Sequence, residues 1–587
     1  MTAQTIAAPA AGVHRSSDLF ADDVGEKSIT QQHTELEPHV RAINSIERLL
    51  RAGHTLLLTY SGGKDSSCCV NLAFNAAINV IKAGLDCPLL VVSNADTGVE
   101  SPVVRAIADS ELDKMKAFAQ KHGIPLEVRV SRPSLSAGFA ARVIGGRALP
   151  PFPQSATDCS IDWKSHPMSR TSKVIERCLP PGSPAMVTVI GTRSTESAAR
   201  AINTLARKET AHEVWYSPTG EARLSPILDW DLDAVWTYVA ECAHGVHPSY
   251  SDFQAIMEFY SDAGASSCVI VADLKSAGKS KACGARAGCF TCSKVSSDHS
   301  VENMLEQNPG RYPYLVPLLE LRNFIVATQW DWQRRNFIGR TISAEGYIKV
   351  GADQYSPKMC EDLLYYMLAA QDRANELGSP SRIKAVGVRE IIAIDFYWSL
   401  RGWAPPFHAL STLADHNDGN RRYAPKIETP IRPSPAPVIG EIYVGPEWDS
   451  NVSELTPSGL RHPVWEIFSD SCGPMLRTND AGKMFLSLEE TPEFDVDVEG
   501  AYDFLEFIAE EKIATHHRYD APDWTVGAAT YLQMGTVTLA KGQSSGIDSM
   551  MRRTQWLQRN GLHGHQTIES LKSRCATLRE TQGELFA

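Results

Sequence analysis

The chain has no uncharged apolar run that reaches the roughly 18 residues needed to span a bilayer. Its opening, MTAQTIAAPAAGVHRSSDLF, does not join a basic start to an apolar stretch, so no secretory signal is expected there. Positive charge is in deficit. The 57 Lys+Arg face 69 Asp+Glu, a formal net charge of -12, which argues against a grip on nucleic acid by the whole surface and leaves room only for a local basic groove. A cytoplasmic location is the expectation, and there structural disulfides are disfavoured. The 13 cysteines therefore point to metal or catalysis where they cluster. Nine are scattered or merely adjacent; the other four fall within 25 residues.

What is present is ordinary for a folded protein: 43% hydrophobic and 21% charged residues exclude disorder of the whole chain. At 587 residues, about three or four domains are expected. Residues 1–38 are small, polar and without period, and read as a flexible leader. Val40, Ile43, Ile46, Leu49 and Leu50 put one apolar face on a helix that Gly53 stops. The run from Thr55 to Tyr60 suits a buried parallel strand, and a helix over Cys68 to Ala83 follows. Strands at Pro88 to Ser93, Leu126 to Val130 and Ala185 to Ile190, with a helix from Val103 to His122, continue the alternation. This pattern predicts an α/β fold with a doubly wound, mostly parallel sheet over residues 39–261. Residues 262–300 shift to Gly, Ser, Lys and Cys, and read as a ligand-held insert. Residues 301–403 read as mainly helical, 404–445 as a Pro-rich linker, and 446–587 as a separate C-terminal region that carries no motif.

Ser61-Gly62-Gly63-Lys64-Asp65-Ser66 stands where the first strand meets its helix. Two glycines allow close backbone approach, and the free N–H groups of a helix start favour an anion. Ser61, Ser66 and Lys64 add donors and a point charge. The loop is neither the Walker sequence nor the dinucleotide fingerprint. It resembles the pyrophosphate loop of the ATP pyrophosphatases (the PP-loop superfamily, with an adenine nucleotide α-hydrolase-like fold), which cleave ATP between its α- and β-phosphates. Asp96-Thr97-Gly98 with Glu100 resembles the D-T-G-x-E segment of the phosphoadenylyl-sulfate reductase branch. Cys159, Lys164 and Pro167 match its C-x-x-x-x-K-x-x-P segment, and Gly191, Arg193, Glu196 and Ser197 its G-x-R-x-x-E-S motif, with Arg200 shortly after. The resemblance implies that Asp96, Lys164, Arg193, Glu196 and Arg200 serve the nucleotide, the cations stabilising charge on its phosphates.

Cys268, Cys283, Cys289 and Cys292 form C-x14-C-x5-C-x2-C. Four thiolates from one glycine-containing segment can close a zinc site or hold a [4Fe–4S] cluster, and spacing alone does not choose. The text from Cys283 to Cys292, followed by Asp298 and Ser300, resembles the iron–sulfur segment of the DNA phosphorothioation sulfurtransferases of the Dnd/Ssp type, over roughly residues 40–400. That resemblance implies a sulfurtransferase using ATP, Mg²⁺ and a [4Fe–4S] cluster. Its implied partners are a cysteine desulfurase, other subunits of the modification system and DNA, with a role in host defence and no membrane. Rival readings are a phosphoadenylyl-sulfate reductase-like enzyme, a tRNA thiolation enzyme, and an ATP-sensing subunit without turnover. Cys159 is read either as a sulfur carrier, its thiol lowered by nearby cations, or as a buried structural cysteine. Arg334, Arg335 and Arg340 with Trp330 and Trp332 are read either as a nucleic-acid patch or as a plain helix surface.

Overall fold

The structure, a computed structural model, describes residues 36–153, 158–264, 288–445, 448, 459–460, 476–478, 484–486, 490–518, 520 and 523–575. The leader up to residue 35, Cys268 and Cys283 lie outside the described residues. The first elements are α1 (Pro38–Arg51), β1 (Leu56–Tyr60), α2 (Lys64–Lys82), β2 (Leu90–Ala95), α3 (Pro102–His122) and β3 (Leu126–Ser131). Further along come β4 (Val187–Val189), β5 (Trp215–Tyr216) and β6 (Ala222–Leu224). They form one sheet in the order β3-β2-β1-β4-β6-β5, parallel throughout except that β5 runs against β6.

Parallel strands of this kind are covered on both faces, which is why β1 and β2 read as continuous apolar runs. Leu56, Leu58, Leu90 and Val92 enter the main core, whereas Leu57 and Val91 pack on the other face against Ile175 and Met186. The chain winds from β1 to β3 on one side and returns through β4 to β6 on the other. The strand order reverses between β1 and β4, so a crevice opens beyond their C-terminal ends. The helix α2 behind it is almost wholly buried, with Cys68 and Cys69 inside the core.

The segment 301–403 is mainly helical, as expected, and adds an antiparallel hairpin of β7 (Arg335–Ile342) and β8 (Tyr347–Tyr355), turned at Gly346 with φ +81° and extended by β9 (Ile442–Tyr443). Two regional expectations are corrected. The expected linker 404–445 begins with buried Phe407 and a helix, His408–Asn417, that buries Ala409, Leu410, Thr412 and His416. Pro405 and Pro406 precede that helix, and the other prolines follow it from Pro425 onward. The C-terminal region is not separate, since Phe504, Ala528, Tyr531 and Met551 share one core with the helix Val388–Arg401. That helix also ties the region to the sheet domain: Trp398 Nε1 donates to Ile144 O at 2.8 Å, and Trp403 lies where a Cβ on Gly146 would stand. No helix among the described residues is long and apolar enough to cross a membrane.

A titratable cluster lies in this shared core. The ring nitrogens His408 Nδ1 and His517 Nε2 are 2.6 Å apart, and His408 Nε2 is 3.0 Å from Glu361 Oε1. Burial and then His408 push His517 down to about 4. Burial opposes ionisation of Glu361, but hydrogen bonds from His408 and Lys358 outweigh it and hold the carboxyl at about 2. Burial drives Asp395 the other way, to about 6. A histidine depressed on folding takes its proton only when unfolded, so its stabilisation is present above the ordinary 6.5 and is lost as pH falls towards 4. His517→Gln should therefore flatten the fall of the melting temperature with acid over that window. Parallel thermal melts of parent and variant check this; identical slopes would remove His517 from the account.

Candidate active site

The PP-loop closes on itself before any ligand is considered. Gly62 takes φ +78°, and its missing Cβ would stand 3.4 Å from Ala108 Cβ on α3. Ser61 N–H donates to Ser66 Oγ at 3.2 Å, while Ser66 Oγ and Ser67 Oγ donate to Gly63 O at 2.9 and 3.0 Å. These bonds fix the loop against the start of α2, whose first N–H groups have no partner within the helix. The result is an anion seat at the crevice mouth.

Lys64 and Arg193 are both buried beside it. Asp65 accepts from Lys64 Nζ at 3.1 Å and from Arg193 Nε at 2.6 Å, and the Lys64 ammonium lies 4.7 Å from the Tyr260 ring centre. Arg193 reaches this pair because Gly191, just after β4, touches the start of α2: a Cβ there would meet the Asp65 carbonyl carbon at 3.0 Å and Ser66 N at 3.1 Å. Backbone cannot yield, so only glycine allows this approach. Glu196 of that motif is engaged instead with Arg200, which follows it, at 2.6 Å on a partly exposed helix turn, away from Asp65.

The loop after β2 forms the next wall. Asp96 accepts from Gly98 N–H at 2.9 Å and from Arg132 Nε at 2.9 Å. Arg105, buried on α3, donates to Asn94 Oδ1 at 2.7 Å. Glu100 forms an isolated antiparallel bridge with Cys289, and Phe290 N–H donates to Val99 O at 3.0 Å. Lys164 Nζ stands 3.4 Å from Glu100 Oε1, yet burial still raises the Glu100 carboxyl. Thus the loop after β2 and the cysteine segment are joined by an isolated antiparallel bridge, a contact that no spacing in the sequence announced.

Cys289 and Cys292 sit in one turn, Cys292 N–H donating to Cys289 O at 2.9 Å. Cys289 Sγ is 3.6 Å from Thr97 Oγ1, and burial pushes its thiol up to about 11. Cys159 is close enough for Cys292 to act on it electrostatically. Cations do not lower the Cys159 thiol as expected. Burial and then Cys292 raise it, and Arg142 only offsets part of this, while Lys164 is engaged with Glu100. Cys159, Cys289 and Cys292 are thus half-buried thiols of the kind that suits a soft metal centre, although among the described residues their sulfurs do not all lie within 4.8 Å of one another.

The nucleic-acid patch also needs correction. Arg335 is buried, stacked between Phe152 and Tyr355, and Arg334 is held by Asp331 and Asp362. Arg340 lines a cavity, and it does so from β7 rather than from a helix.

Residues 55–294 match the phosphoadenosine phosphosulfate reductase domain family. That span holds the Ser61–Ser66 loop, Asp96, Cys159, Lys164, Arg193, Cys289 and Cys292. No curated protein matches the chain. Similar solved structures include two of Candida glabrata FMN adenylyltransferase. One is in complex with FMN and the ATP analogue AMPCPP, at 14% identity and TM-score 0.21, covering 36% of this chain and 62% of that one. The other, with FAD and inorganic pyrophosphate, is at 13% identity and TM-score 0.21, covering 38% and 64%. The chain therefore spans less than two thirds of each of those structures.

Proposed function

We propose that the protein is an ATP pyrophosphatase and sulfurtransferase that adenylates a DNA backbone phosphate and so readies it for sulfur. The observation that carries this reading is the Glu100–Cys289 bridge, which fastens the thiols to the nucleotide-side loop. MgATP is the substrate. The N–H groups at the start of α2, with Lys64 and Arg193, hold its pyrophosphate end and stabilise the charge that grows there as it leaves. A non-bridging phosphodiester oxygen attacks the α-phosphorus, the bond to pyrophosphate breaks, and the DNA carries AMP as a leaving group. The terminal sulfur of a persulfide then displaces AMP, and a thiol reduces the remaining S–S bond. A cysteine desulfurase supplies the persulfide, and other subunits of a phosphorothioation system bring the DNA. Four of the five cysteines Cys159, Cys268, Cys283, Cys289 and Cys292 would hold a [4Fe–4S] cluster, which would supply a redox-active centre beside the nucleotide.

The reductase-family match favours a second reading, reduction of phosphoadenylyl sulfate to sulfite. One experiment separates the two. Host DNA is digested with nuclease and searched by mass spectrometry for phosphorothioate dinucleotides, with and without this gene, while the purified protein is assayed with ATP and with phosphoadenylyl sulfate. Phosphorothioates that depend on the gene, with AMP and pyrophosphate as products, are expected. Sulfite without DNA would establish the reductase, and ADP with orthophosphate would overturn the PP-loop chemistry itself.

A further inference from the structure

A cavity of about 670 Å³ opens between the sheet domain, the β7–β8 hairpin and the C-terminal helix Ser544–Arg559. Arg142, Arg147, Arg340 and Arg401 line it, together with Cys159. A narrower recess, which shares Arg340 and Arg401 with it, adds Arg553. Five guanidinium groups thus gather in one place on a chain whose net charge is -12.

Local carboxylates balance them only in part, although Asp158, Asp162 and Asp353 line the same cavity. Arg142 pairs with Asp162, and Arg340 with Asp353 at 3.2 Å. Arg147, Arg401 and Arg553 form no ion pair among the described residues, and their recorded bonds go to uncharged oxygens: Ser136 O, Gly146 O with Gln354 Oε1, and Gly339 O. Arg401 Nε and Arg553 Nε have no hydrogen-bond partner among the described residues, although Arg553 is only 8% exposed. Burial, with Arg147, Arg340 and Arg553 as like-charged neighbours, pushes Arg401 down to about 9, and burial alone pushes Arg553 to about 10. Both remain cations at neutral pH. Unpaired buried charge costs several kcal/mol per ion unless an opposite charge arrives, so the fold maintains a site that is complete only with an anion. Guanidinium is also the side chain best matched to phosphate oxygens.

We propose that this arginine basin seats the phosphate backbone of the DNA strand that passes Cys159. Arg147, Arg401 and Arg553 form its floor, and Arg142 and Arg340 its rim. This rests on the proposed function for the identity of the strand, while the demand for an anion rests on the basin alone. A chain of phosphodiesters fits better than a single small anion because the cations extend from the wide cavity into the adjoining recess. The basin also meets the thiol side of the site, since Cys159 belongs to its wall and lies near Cys292.

The test uses the full chain and a fluorescein-labelled DNA oligonucleotide, with anisotropy read over a salt series. Arg340 is partly exposed, so Arg340→Ala keeps the fold, and Arg340→Glu reverses its charge. The expected result is a log K against log salt slope shallower by about 1 in Arg340→Ala, and binding weakened at least about tenfold in Arg340→Glu. Lys426→Glu, on the exposed segment after Asn417, should leave both unchanged. Parent-like DNA binding in both Arg340 variants would overturn the basin and leave the DNA reading standing. If the parent binds no DNA but inorganic phosphate raises its melting temperature, and Arg340→Glu removes that rise, the occupant is a small anion and the strand assignment is overturned. Phosphorothioate formation in cells, measured separately, shows whether the DNA reading itself has failed.

Discussion

Lys64→Ala should cut pyrophosphate release from ATP at least about 100-fold, the scale on which loss of one preorganised charge-stabilising donor is felt. The effect should be confined to chemistry. Lys64 is 6% exposed, so its ammonium acts where water screens little. Its removal does not strand Asp65, because Arg193 Nε still donates to that carboxylate at 2.6 Å. The Ser61–Ser66–Gly63 bonds that shape the loop do not involve the lysine side chain either. The melting temperature should therefore stay within a few degrees of the parent. Asp65→Ala is the informative contrast, since it leaves Lys64 and Arg193 facing each other without the anion between them, and should lose stability as well as turnover. Pyrophosphate release and thermal melts on both variants check this. An Lys64→Ala protein that melts early and retains turnover per folded molecule would make the lysine a structural residue.

The parts of this site that the sequence revealed are those written in consecutive residues. Ser61 to Ser66 needs only a strand, two glycines and a helix start, and the uninterrupted apolar runs of β1 and β2 follow from cover on both faces. What stayed hidden depends on distant partners. Tyr260 meets Lys64 across nearly two hundred residues of chain, and an aromatic in a helix reads as core. The β7–β8 hairpin escaped because its register shifts between Asn336 and Ile338 and again between Ile338 and Ile342, which breaks the alternation that marks a strand. The helices of the C-terminal region show apolar faces without saying what covers them, and the cover, Val388–Arg401, lies about a hundred residues earlier. Arg147, Arg401 and Arg553 belong to no motif, and a single arginine in a sequence reads as solvated surface. Their convergence belongs to the tertiary fold alone.

Cys159→Ser should lower the iron and sulfide content of anaerobically purified protein and leave ATP cleavage in place. Five cysteines, the four of the motif and Cys159, are available for the four ligand positions of a cubane cluster, so one is left over. A sulfur carrier needs a thiolate, and a thiolate needs cations or exposure. Cys159 is half-buried, burial and Cys292 raise its thiol more than Arg142 lowers it, and Lys164 is taken by Glu100. Its place near Cys292 suits a ligand, because bound iron would supply positive charge at the sulfur itself. The PP-loop makes no recorded bond to Cys159, so ATP turnover should survive its loss. Two measurements decide the matter together, iron with sulfide content and sulfur incorporation into DNA. If the metal content holds while sulfur incorporation disappears, Cys159 carries the persulfide. If neither changes, it is a packing residue on the basin wall, and the cluster belongs to the later cysteines. Loss of iron with ATP cleavage intact would put Cys159 in the ligand set, with one of Cys268, Cys283, Cys289 and Cys292 as the free thiol.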